Sequence, residues 1–234
     1  MDAITRAQAA HFRRTFAEHG PNSKGVDWGS PEDTALLYDQ MLNVIEPLDA
    51  NKGITLLDVG CGYGGLYLHA LERGLLQNIT YTGIDVVHEM LQQAALRFPD
   101  AVFIEQDVLT YDNPRGFDYV VCNGVLTTHF SPSLRDTDRW MKRVVMKLFE
   151  LCRRGIAFNT MTTQVNYTEP HLFYKSPVEL LAWCLSDISS YVRLDHAYSA
   201  FRPKKQFHYT VYAYRPIDND ASVDRCMVSG EENG

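Results

Sequence analysis

The stretch ITLLDVGCGYGGLYLHALERG, residues 54–74, constrains the fold more than any other part of the sequence. A mainly apolar run leads into Asp58, and four glycines then fall between positions 60 and 65 before an amphipathic segment begins. Glycines at a strand-to-helix turn let a bound molecule approach the backbone and the helix N-terminus closely. The pattern therefore predicts a buried strand, a tight turn and a helix, with a ligand site at the turn.

A strand followed by a helix is the repeating pattern of the chain after residue 54. The predicted strands are ITLLDV, ITYTGID, AVFIEQD, FDYVVCNG, IAFNTMT, YVRLDHAY and QFHYTVYAYR, with helical patterns between most of them. Such alternation produces a parallel sheet with helices on both faces, and the short connection before the last strand suits an antiparallel pair. We therefore expect a doubly wound α/β fold whose seven-stranded sheet is mostly parallel, with an antiparallel final strand.

Two helical patterns precede the first strand. The first ends at a glycine near residue 20, and the second begins with a capping box formed by Ser30 and Asp33, with Pro31 at its first position. We expect residues 1–50 to form an N-terminal helical cover and residues 51–216 to form the α/β domain. Residues 217–234 are polar and lack periodicity, which predicts a disordered tail.

Composition limits the compartment and the partners of the chain. Five cysteines without C-x-x-C spacing argue against a metal site or disulfide framework and favour a reducing, cytoplasmic setting. No apolar run approaches the roughly 20 residues that span a bilayer. The formal net charge of −7 makes long nucleic acid a poor electrostatic partner. We expect a monomer or homodimer that binds a small molecule and neither metal, nucleic acid nor membrane.

Polar residues gather where the predicted parallel strands end. Residues 58–65 follow the first strand, Asp85 and Asp107 end the second and third, and residues 123–128 follow the fourth. Sheets of this kind bind ligands at the carboxyl ends of their strands. Each acid alone could equally cap a helix or a loop, but together they predict one polar crevice at this edge of the sheet.

The glycines allow two interpretations of the ligand. Gly60, Gly62 and Gly65 spell G-x-G-x-x-G, and Asp85 lies twenty residues further on, which is the spacing of a dinucleotide fingerprint. A pyrophosphate would bring two negative charges to this turn. Asp58, two residues before the first of these glycines, would not help to bind them, so the nicotinamide oxidoreductase interpretation is disfavoured.

The chain resembles the class I S-adenosylmethionine-dependent methyltransferases in four segments that occur in order. They are LLDVGCGYG, YTGIDV, FIEQDVL and FDYVVCNGVL, within residues 54–128, and the order of strands and helices extends the resemblance to about residue 216. The resemblance implies a Rossmann-like domain, S-adenosylmethionine (SAM) as the cofactor and methyl transfer as the activity. SAM carries a sulfonium cation and no phosphate, so it suits an acidic turn.

The resemblance also implies roles for the residues of the crevice. Asp85 is expected to accept hydrogen bonds from the ribose hydroxyls, because a carboxylate is an acceptor-only fork. Trp28 is expected to shield the cofactor as part of a mobile N-terminal cover. The other implied contacts are Gly60, Cys61 and Gly62 with the methionine moiety, Asp58 with the turn or the ammonium group, Val86, Asp107 and Val108 with adenine, and Asn123 and Gly124 with the sulfonium end.

The acceptor is less constrained than the cofactor. The fourth motif, CNGVL, is not the Asn/Asp-Pro-Pro-aromatic motif of enzymes that methylate nucleic acid bases, which favours a small metabolite. His129 and His171 are candidate general bases, although each could equally be an ordinary loop histidine. His208 lies within the last strand and is expected to be structural. A base is useful for a hydroxyl acceptor and dispensable for an amine.

The leading hypothesis is therefore SAM-dependent methyl transfer to an O or N atom of a small-molecule metabolite. One alternative is a methyltransferase-fold subunit that binds a partner and has no catalytic activity. A nicotinamide-dependent oxidoreductase is the less favoured alternative.

Overall fold

The computed structural model describes residues 1–198 and 208–216, so the predicted tail lies outside the described residues. A mixed sheet runs through the centre of the molecule in the order β3-β2-β1-β4-β5-β8-β7, with β6 paired to the end of β5. All strands are parallel except β8, which is antiparallel to both neighbours. The strands are β1 (Ile54–Val59), β2 (Ile79–Asp85), β3 (Val102–Glu105), β4 (Phe117–Cys122), β5 (Cys152–Thr162), the two-residue β6 (Tyr174–Lys175), β7 (Tyr191–Asp195) and β8 (His208–Tyr214).

This topology confirms the predicted mostly parallel sheet with its antiparallel final strand. Six α-helices accompany the strands in the described part of the chain, and several begin at serine caps, such as the predicted capping box of Ser30 and Asp33. The helices are α1 (Ala3–His19), α2 (Pro31–Leu42), α3 (Gly65–Glu72), α4 (His88–Arg97), α5 (Leu134–Leu151) and α6 (Pro177–Asp187).

The hydrophobic core has one cluster on each face of the sheet. In β4, Val120 and Cys122 contact the cluster that contains α5 and α6, while Tyr119 and Val121 contact the cluster that contains α2 and α3. This alternation follows from the period of two along a strand. A smaller third cluster joins Phe16 of α1 to α4 near the carboxyl ends of the strands.

The start of the fifth predicted strand was wrong. The strand IAFNTMT was predicted to begin at Ile156, but α5 ends at Leu151 and β5 already begins at Cys152. Cys152 pairs with Phe117 at the start of β4, and the side chains of Arg153 and Arg154 form ion pairs with Asp118. These contacts are distant in sequence, so local helical periodicity does not reveal them.

Within the described ranges, no helix is both long enough and apolar enough to cross a bilayer. The segment that precedes β1 places α1 and the turn at residues 23–28 over the carboxyl ends of the strands, where both contribute to the cavity described below. The division of the chain into a cover and an α/β domain stays a prediction.

Candidate active site

The turn after β1 is held against the end of β2. The N–H groups of Gly60 and Cys61 donate to the Ile84 carbonyl, at 2.8 and 3.2 Å. Gly60 and Gly62 have φ angles of 75° and 53°, in the left-handed region that favours glycine. A Cβ atom on Gly60 would lie 2.2 Å from Cγ2 of Val125. The turn therefore requires small residues, as the sequence predicted.

Asp85, at the end of β2, bridges this turn to the next helix. Its Oδ2 accepts from the Gly62 N–H at 2.8 Å, and its Oδ1 accepts from the N–H groups of Val86 and Val87 at 2.7 and 2.9 Å. Burial raises the pKa of this carboxyl, and the three backbone hydrogen bonds partly oppose the rise. A carboxylate offers about four acceptor positions, so about one remains, on Oδ2.

Asp58 is buried beneath the same turn. Tyr81 Oη donates a hydrogen bond to its Oδ2 at 2.7 Å. Burial raises the pKa of Asp58 to about 7; the Tyr81 hydrogen bond opposes this rise and the nearby Asp85 charge adds to it. The carboxyl group is therefore balanced between its neutral and charged forms near neutral pH.

Two further side chains hold uncommitted polar atoms. Asp107 Oδ1 accepts from the Leu109 N–H at 3.0 Å, whereas its buried Oδ2 has only an ion-pair contact, 3.6 Å from the amino group of Met1. Asn123 Oδ1 accepts from Asn159 Nδ2 at 2.7 Å. Its own Nδ2 is buried and has no hydrogen-bond partner among the described residues. A bound molecule with a donor and an acceptor could satisfy both.

All of these groups line one cavity at the carboxyl ends of the strands, with a volume of about 990 Å³ that includes its open mouth. Every residue predicted to bind a cofactor lies in its wall: Trp28, Asp58, Gly60, Cys61, Gly62, Asp85, Val86, Asp107, Val108, Asn123 and Gly124. Burial raises the pKa of the Cys61 thiol, which agrees with a packing role rather than a nucleophilic one.

Helix α1 supplies part of the wall that the sequence analysis missed. Thr5, Gln8, Ala9 and Phe12 line the cavity, and Gln8 Nε2 donates to the Val125 carbonyl at 2.9 Å. Their spacing of three and four residues places them on one helix face, which was a detectable pattern. Nothing local in the sequence, however, indicated that this face covers the sheet.

A second cavity of about 570 Å³, also open to solvent, adjoins the first. The indole of Trp28 lies against Gly124, and a Cβ atom there would meet the ring at 2.8 Å. Both residues belong to the walls of the two cavities, together with Phe12 and Val26. The remaining residues of the second cavity are Asp27, Thr127, Thr128, Met161, His171, Leu172 and His208.

The candidate histidines differ in their surroundings. His171 is exposed and lines the second cavity. His129 lines neither cavity; its Nδ1 lies 3.0 Å from the Ser131 carbonyl oxygen and its Nε2 lies 2.6 Å from that of Pro170. Carbonyl oxygens only accept, so the His129 ring is held by the loop and is poorly placed to take a proton from a substrate.

His208, expected to be structural, lines the second cavity from β8. Burial lowers its pKa to about 4, and the Asp33 charge opposes that decrease. The imidazole is therefore neutral at physiological pH. The antiparallel register places His208 opposite Met161 of β5, another residue of this wall, and sequence alone does not reveal that register.

Four residues between positions 159 and 174 line neither cavity. Asn159 and Phe173 are buried and line neither cavity, while Tyr167 is exposed. Tyr174 accepts a hydrogen bond from the Glu169 N–H at 2.9 Å. In the part of the chain that the structure describes, no group of three or more His, Cys, Asp or Glu side chains could hold a metal ion.

Comparison with known proteins adds to this geometry. A family model described as a methyltransferase domain matches residues 56–147. A protein of Mycobacterium tuberculosis (strain ATCC 25618 / H37Rv) named as a methyltransferase is 31% identical over 168 residues, which are 69% of this chain and 93% of that protein.

Solved structures share the fold at low sequence identity. The magnesium protoporphyrin IX methyltransferase of Synechocystis PCC 6803, crystallised with SAM, superposes with a TM-score of 0.62 and 16% identity, covering 92% of this chain and 100% of that one. The plantazolicin methyltransferase, in complex with a pentazolic desmethylPZN analogue and S-adenosylhomocysteine (SAH), has a TM-score of 0.61 and 15% identity, covering 91% of this chain and 96% of that one.

Proposed function

The chain belongs to the class I SAM-dependent methyltransferases, and on this premise we propose that it methylates an O or N atom of a small-molecule metabolite. Its fold is the Rossmann-like fold of that family, its cofactor is SAM and its activity is methyl transfer. The acceptor and the roles of individual residues are the subject of the proposal.

The first cavity fits SAM on its own chemistry. Its polar wall is acidic, which suits a ligand with a sulfonium and an ammonium cation, and the glycine turn leaves backbone atoms accessible. Asp107 Oδ2, which accepts no hydrogen bond within the described residues, can accept one from an adenine amino group. When bound, SAM supplies an electrophilic methyl group on a positively charged sulfur.

We assign the residue roles accordingly. Asp85 binds the ribose through the acceptor position that remains on Oδ2, because its other acceptor positions already receive hydrogen bonds from backbone N–H groups. Asp107 and Val108 bind the adenine edge, with Val86 on the adenine face. Around the rest of the cofactor, Gly60, Cys61 and Gly62 enclose the methionine moiety with Asp58 beneath them, Asn123 and Gly124 border the sulfonium, and Trp28 covers it.

The second cavity is the observation that carries the proposal of a small acceptor. It meets the first beside Trp28 and Gly124, and its wall combines five apolar side chains with five polar ones. Polar groups within an apolar wall can orient a small molecule. Methyl transfer needs the acceptor atom in line with the methyl group and shielded from water.

Of the two histidines proposed as bases, His171 is the one that lines the acceptor cavity. We propose that it contacts the acceptor, and that His129 shapes the loop through the Ser131 and Pro170 carbonyl oxygens. We further propose that the protein is cytoplasmic, that it is a monomer or homodimer, and that nucleic acid is not its substrate. The net charge of −7 supports the last point.

A metabolite screen coupled to SAH release tests the proposed function. Purified protein is incubated with SAM and pools of small metabolites, and calorimetry with SAH is run in parallel. SAH formation that depends on one pool, with a methylated product found by mass spectrometry, is the expected result. Tight SAH binding without turnover of any pool would instead support a non-catalytic partner subunit.

We also propose that the N-terminal cover, residues 1–50, opens to admit ligands. Polar contacts that tie α1 to the domain include Gln8 with the Val125 carbonyl, Trp140 Nε1 with Thr5 Oγ1, and Arg13 with Glu89. Hydrogen exchange should be fast over residues 5–40 in the free protein and slow with SAH bound. Equal protection in both states would make this segment fixed scaffold.

A further inference from the structure

Asn123 has a side-chain orientation that is fixed by a chain of hydrogen bonds. The Gly124 N–H donates to Asn159 Oδ1 at 2.8 Å, and Asn159 Nδ2 donates to Asn123 Oδ1 at 2.7 Å. A backbone N–H can only donate, so the oxygen of Asn159 must face Gly124 and its NH₂ group must face Asn123. The oxygen of Asn123 therefore accepts the hydrogen bond from Asn159, and its NH₂ group is free to donate to another molecule.

Asn123 lies in the wall of the first cavity, next to the junction of the two cavities. Asn123 lines the first cavity, and its neighbour Gly124 lines both. Asn123 is only 9% exposed, Asn159 is 0% exposed, and Asn123 Nδ2 lacks a hydrogen-bond partner within residues 1–198 and 208–216. A buried donor without a partner is costly, so the arrangement is suited to a bound acceptor atom.

We infer that Asn123 donates a hydrogen bond to the nucleophilic atom of the methyl acceptor, and that this atom is the anionic oxygen of a carboxylate or phenolate. The inference rests on the proposed function and narrows the methylated atom from oxygen or nitrogen to oxygen. An amine nucleophile uses its only lone pair for attack and presents N–H groups that need acceptors. An anionic oxygen has lone pairs to spare: one receives the Asn123 N–H while another attacks.

The Gly124 carbonyl at this junction agrees with an oxygen acceptor. The Gly124 carbonyl, which could have received an amine N–H, already accepts from the Thr127 hydroxyl at 2.7 Å. In the transfer, an acceptor lone pair forms the new O–C bond while the C–S bond breaks and its electron pair remains on sulfur. A carboxylate or phenolate carries no proton on the attacking atom, so no general base is required. The placement of His129 outside both cavities is consistent with this.

The position of the transferred methyl group tests the inference directly. The enzyme is incubated with a metabolite extract and SAM that carries a trideuterated methyl group, and labelled products are fragmented in a mass spectrometer. The label is expected in a methyl ester or an aryl methyl ether, which alkaline hydrolysis distinguishes because only the ester is cleaved. Label on nitrogen would overturn the inference and leave the proposed function intact. No labelled product, from protein that binds SAH, would overturn both.

Asn159 serves as a positioning residue in this account, and Asn159→Asp tests that role. One carboxylate oxygen of the variant still accepts from Gly124, while the other can only accept, so Asn123 must turn its NH₂ group inward and its oxygen toward the cavity. We expect kcat/KM for the oxygen acceptor found above to fall about 10- to 100-fold, with SAH affinity within about threefold of wild type. Unchanged kcat/KM would contradict the role.

Two further variants keep this test decisive. Thr160→Val removes a neighbouring buried hydrogen bond on the same strand, from Thr160 Oγ1 to the Leu126 carbonyl, without touching Asn123. It should leave kcat/KM near wild type, and a loss as large as that of Asn159→Asp would indicate a general packing effect. If Asn159→Asp does not fold, Asn123→Asp replaces the donor by an acceptor directly and should give the same loss of kcat/KM.

Discussion

The two ends of the central sheet both carry buried aspartates, yet these are partnered in opposite ways. At the amino ends of the strands, Arg154 forms ion pairs with Asp49 and Asp118, and the pKa values of both carboxyls are lowered. At the carboxyl ends, Asp58 and Asp85 are hydrogen-bonded by a tyrosine and by backbone N–H groups, and burial raises their pKa values.

The contrast separates residues that hold the fold from residues that hold a ligand. The negative charge of a carboxylate paired with arginine is compensated within the protein, and the pair contributes to stability. A buried carboxylate that lacks such compensation costs stability, and such groups cluster at functional sites. On this account, arginine compensates the charge of the aspartates at the amino ends of the strands. At the carboxyl ends, bound SAM supplies the positive charge instead.

The largest expected effect is at the glycine turn. Gly62→Val should weaken SAM binding by more than about 100-fold while circular dichroism stays near wild type, because a branched side chain fills the turn and disfavours its left-handed φ. Gly53→Val, just before β1 at the opposite end of the same strand, is the matched control, because a Cβ there meets nothing within 4 Å. If calorimetry gave equal SAM affinity for Gly62→Val and wild type, the claim that SAM binds at the carboxyl ends of the strands would be contradicted.

The next effect is on stability at the amino end. Arg154→Met should lower the free energy of unfolding by about 2 kcal/mol, because it leaves buried Asp49 without its main partner; the partial exposure of Arg154 keeps the loss below that of a fully buried pair. Denaturant unfolding measures this. The exposed Arg139, 3.3 Å from Asp136, is the control, and Arg139→Met should change stability by less than about 0.5 kcal/mol. If Arg154→Met also weakened SAM binding, stability and ligand binding would not be divided between the two ends of the sheet.

A smaller change is expected from Asp107→Asn. The Leu109 N–H contact can be kept by the remaining oxygen, while the uncommitted Oδ2 becomes an NH₂ group that cannot accept from adenine. SAM affinity should fall about tenfold with little change in stability. The corresponding Asp118→Asn should lower stability, since it weakens the ion pairs with both arginines, and leave affinity unchanged. A reversal of these outcomes would contradict the account.

The smallest effect is the pH dependence of binding. Asp58 has a folded-state pKa of about 7, so it gains charge as pH rises from 6 to 8, and SAM affinity should increase by about threefold over that range. SAH lacks the sulfonium charge and should show a weaker increase. In Asp58→Asn the increase for SAM should disappear, and its persistence in calorimetry would assign the pH dependence to another group.

The two ends should also respond to pH with opposite signs in stability. Between about pH 4 and 7 the folded state holds a proton on Asp58 that the unfolded state has released, so this group makes stability fall as pH rises. Asp49 and Asp118 have lowered pKa values, so their contribution is present above about pH 4 and is lost in acid. Unfolding of Asp58→Asn and Arg154→Met at several pH values separates the two contributions.

The first cavity was largely predictable because the topology itself brings strand ends together. Four residues, Asp58, Asp85, Asp107 and Asn123, lie at or just beyond the carboxyl ends of four strands that are parallel neighbours. Recognising the strands was therefore enough to predict that these residues converge. The hydrogen bonds of each side chain were not predictable. The sequence does not show that Asp85 accepts three hydrogen bonds from backbone N–H groups, or that Asn159 orients Asn123.

What the sequence missed depends on contacts between distant segments. Helix α1 completes the first cavity because Gln8 and Thr5 contact residues more than a hundred positions away. His208 enters the second cavity through the register of an antiparallel pair. Strand β5 begins at Cys152 rather than at the predicted Ile156 because the side chains of Arg153 and Arg154 form ion pairs with Asp118, near the amino end of β4.

A crystal structure of the complex with SAH tests the central claim most directly. The account predicts the product in the first cavity, with its adenine amino group at Asp107 Oδ2, its ribose at Asp85 and its methionine moiety along the turn from Gly60 to Gly62. Its sulfur should face the second cavity beside Asn123. SAH bound at another place, or bound in this cavity with its sulfur directed away from the second cavity, would contradict the account.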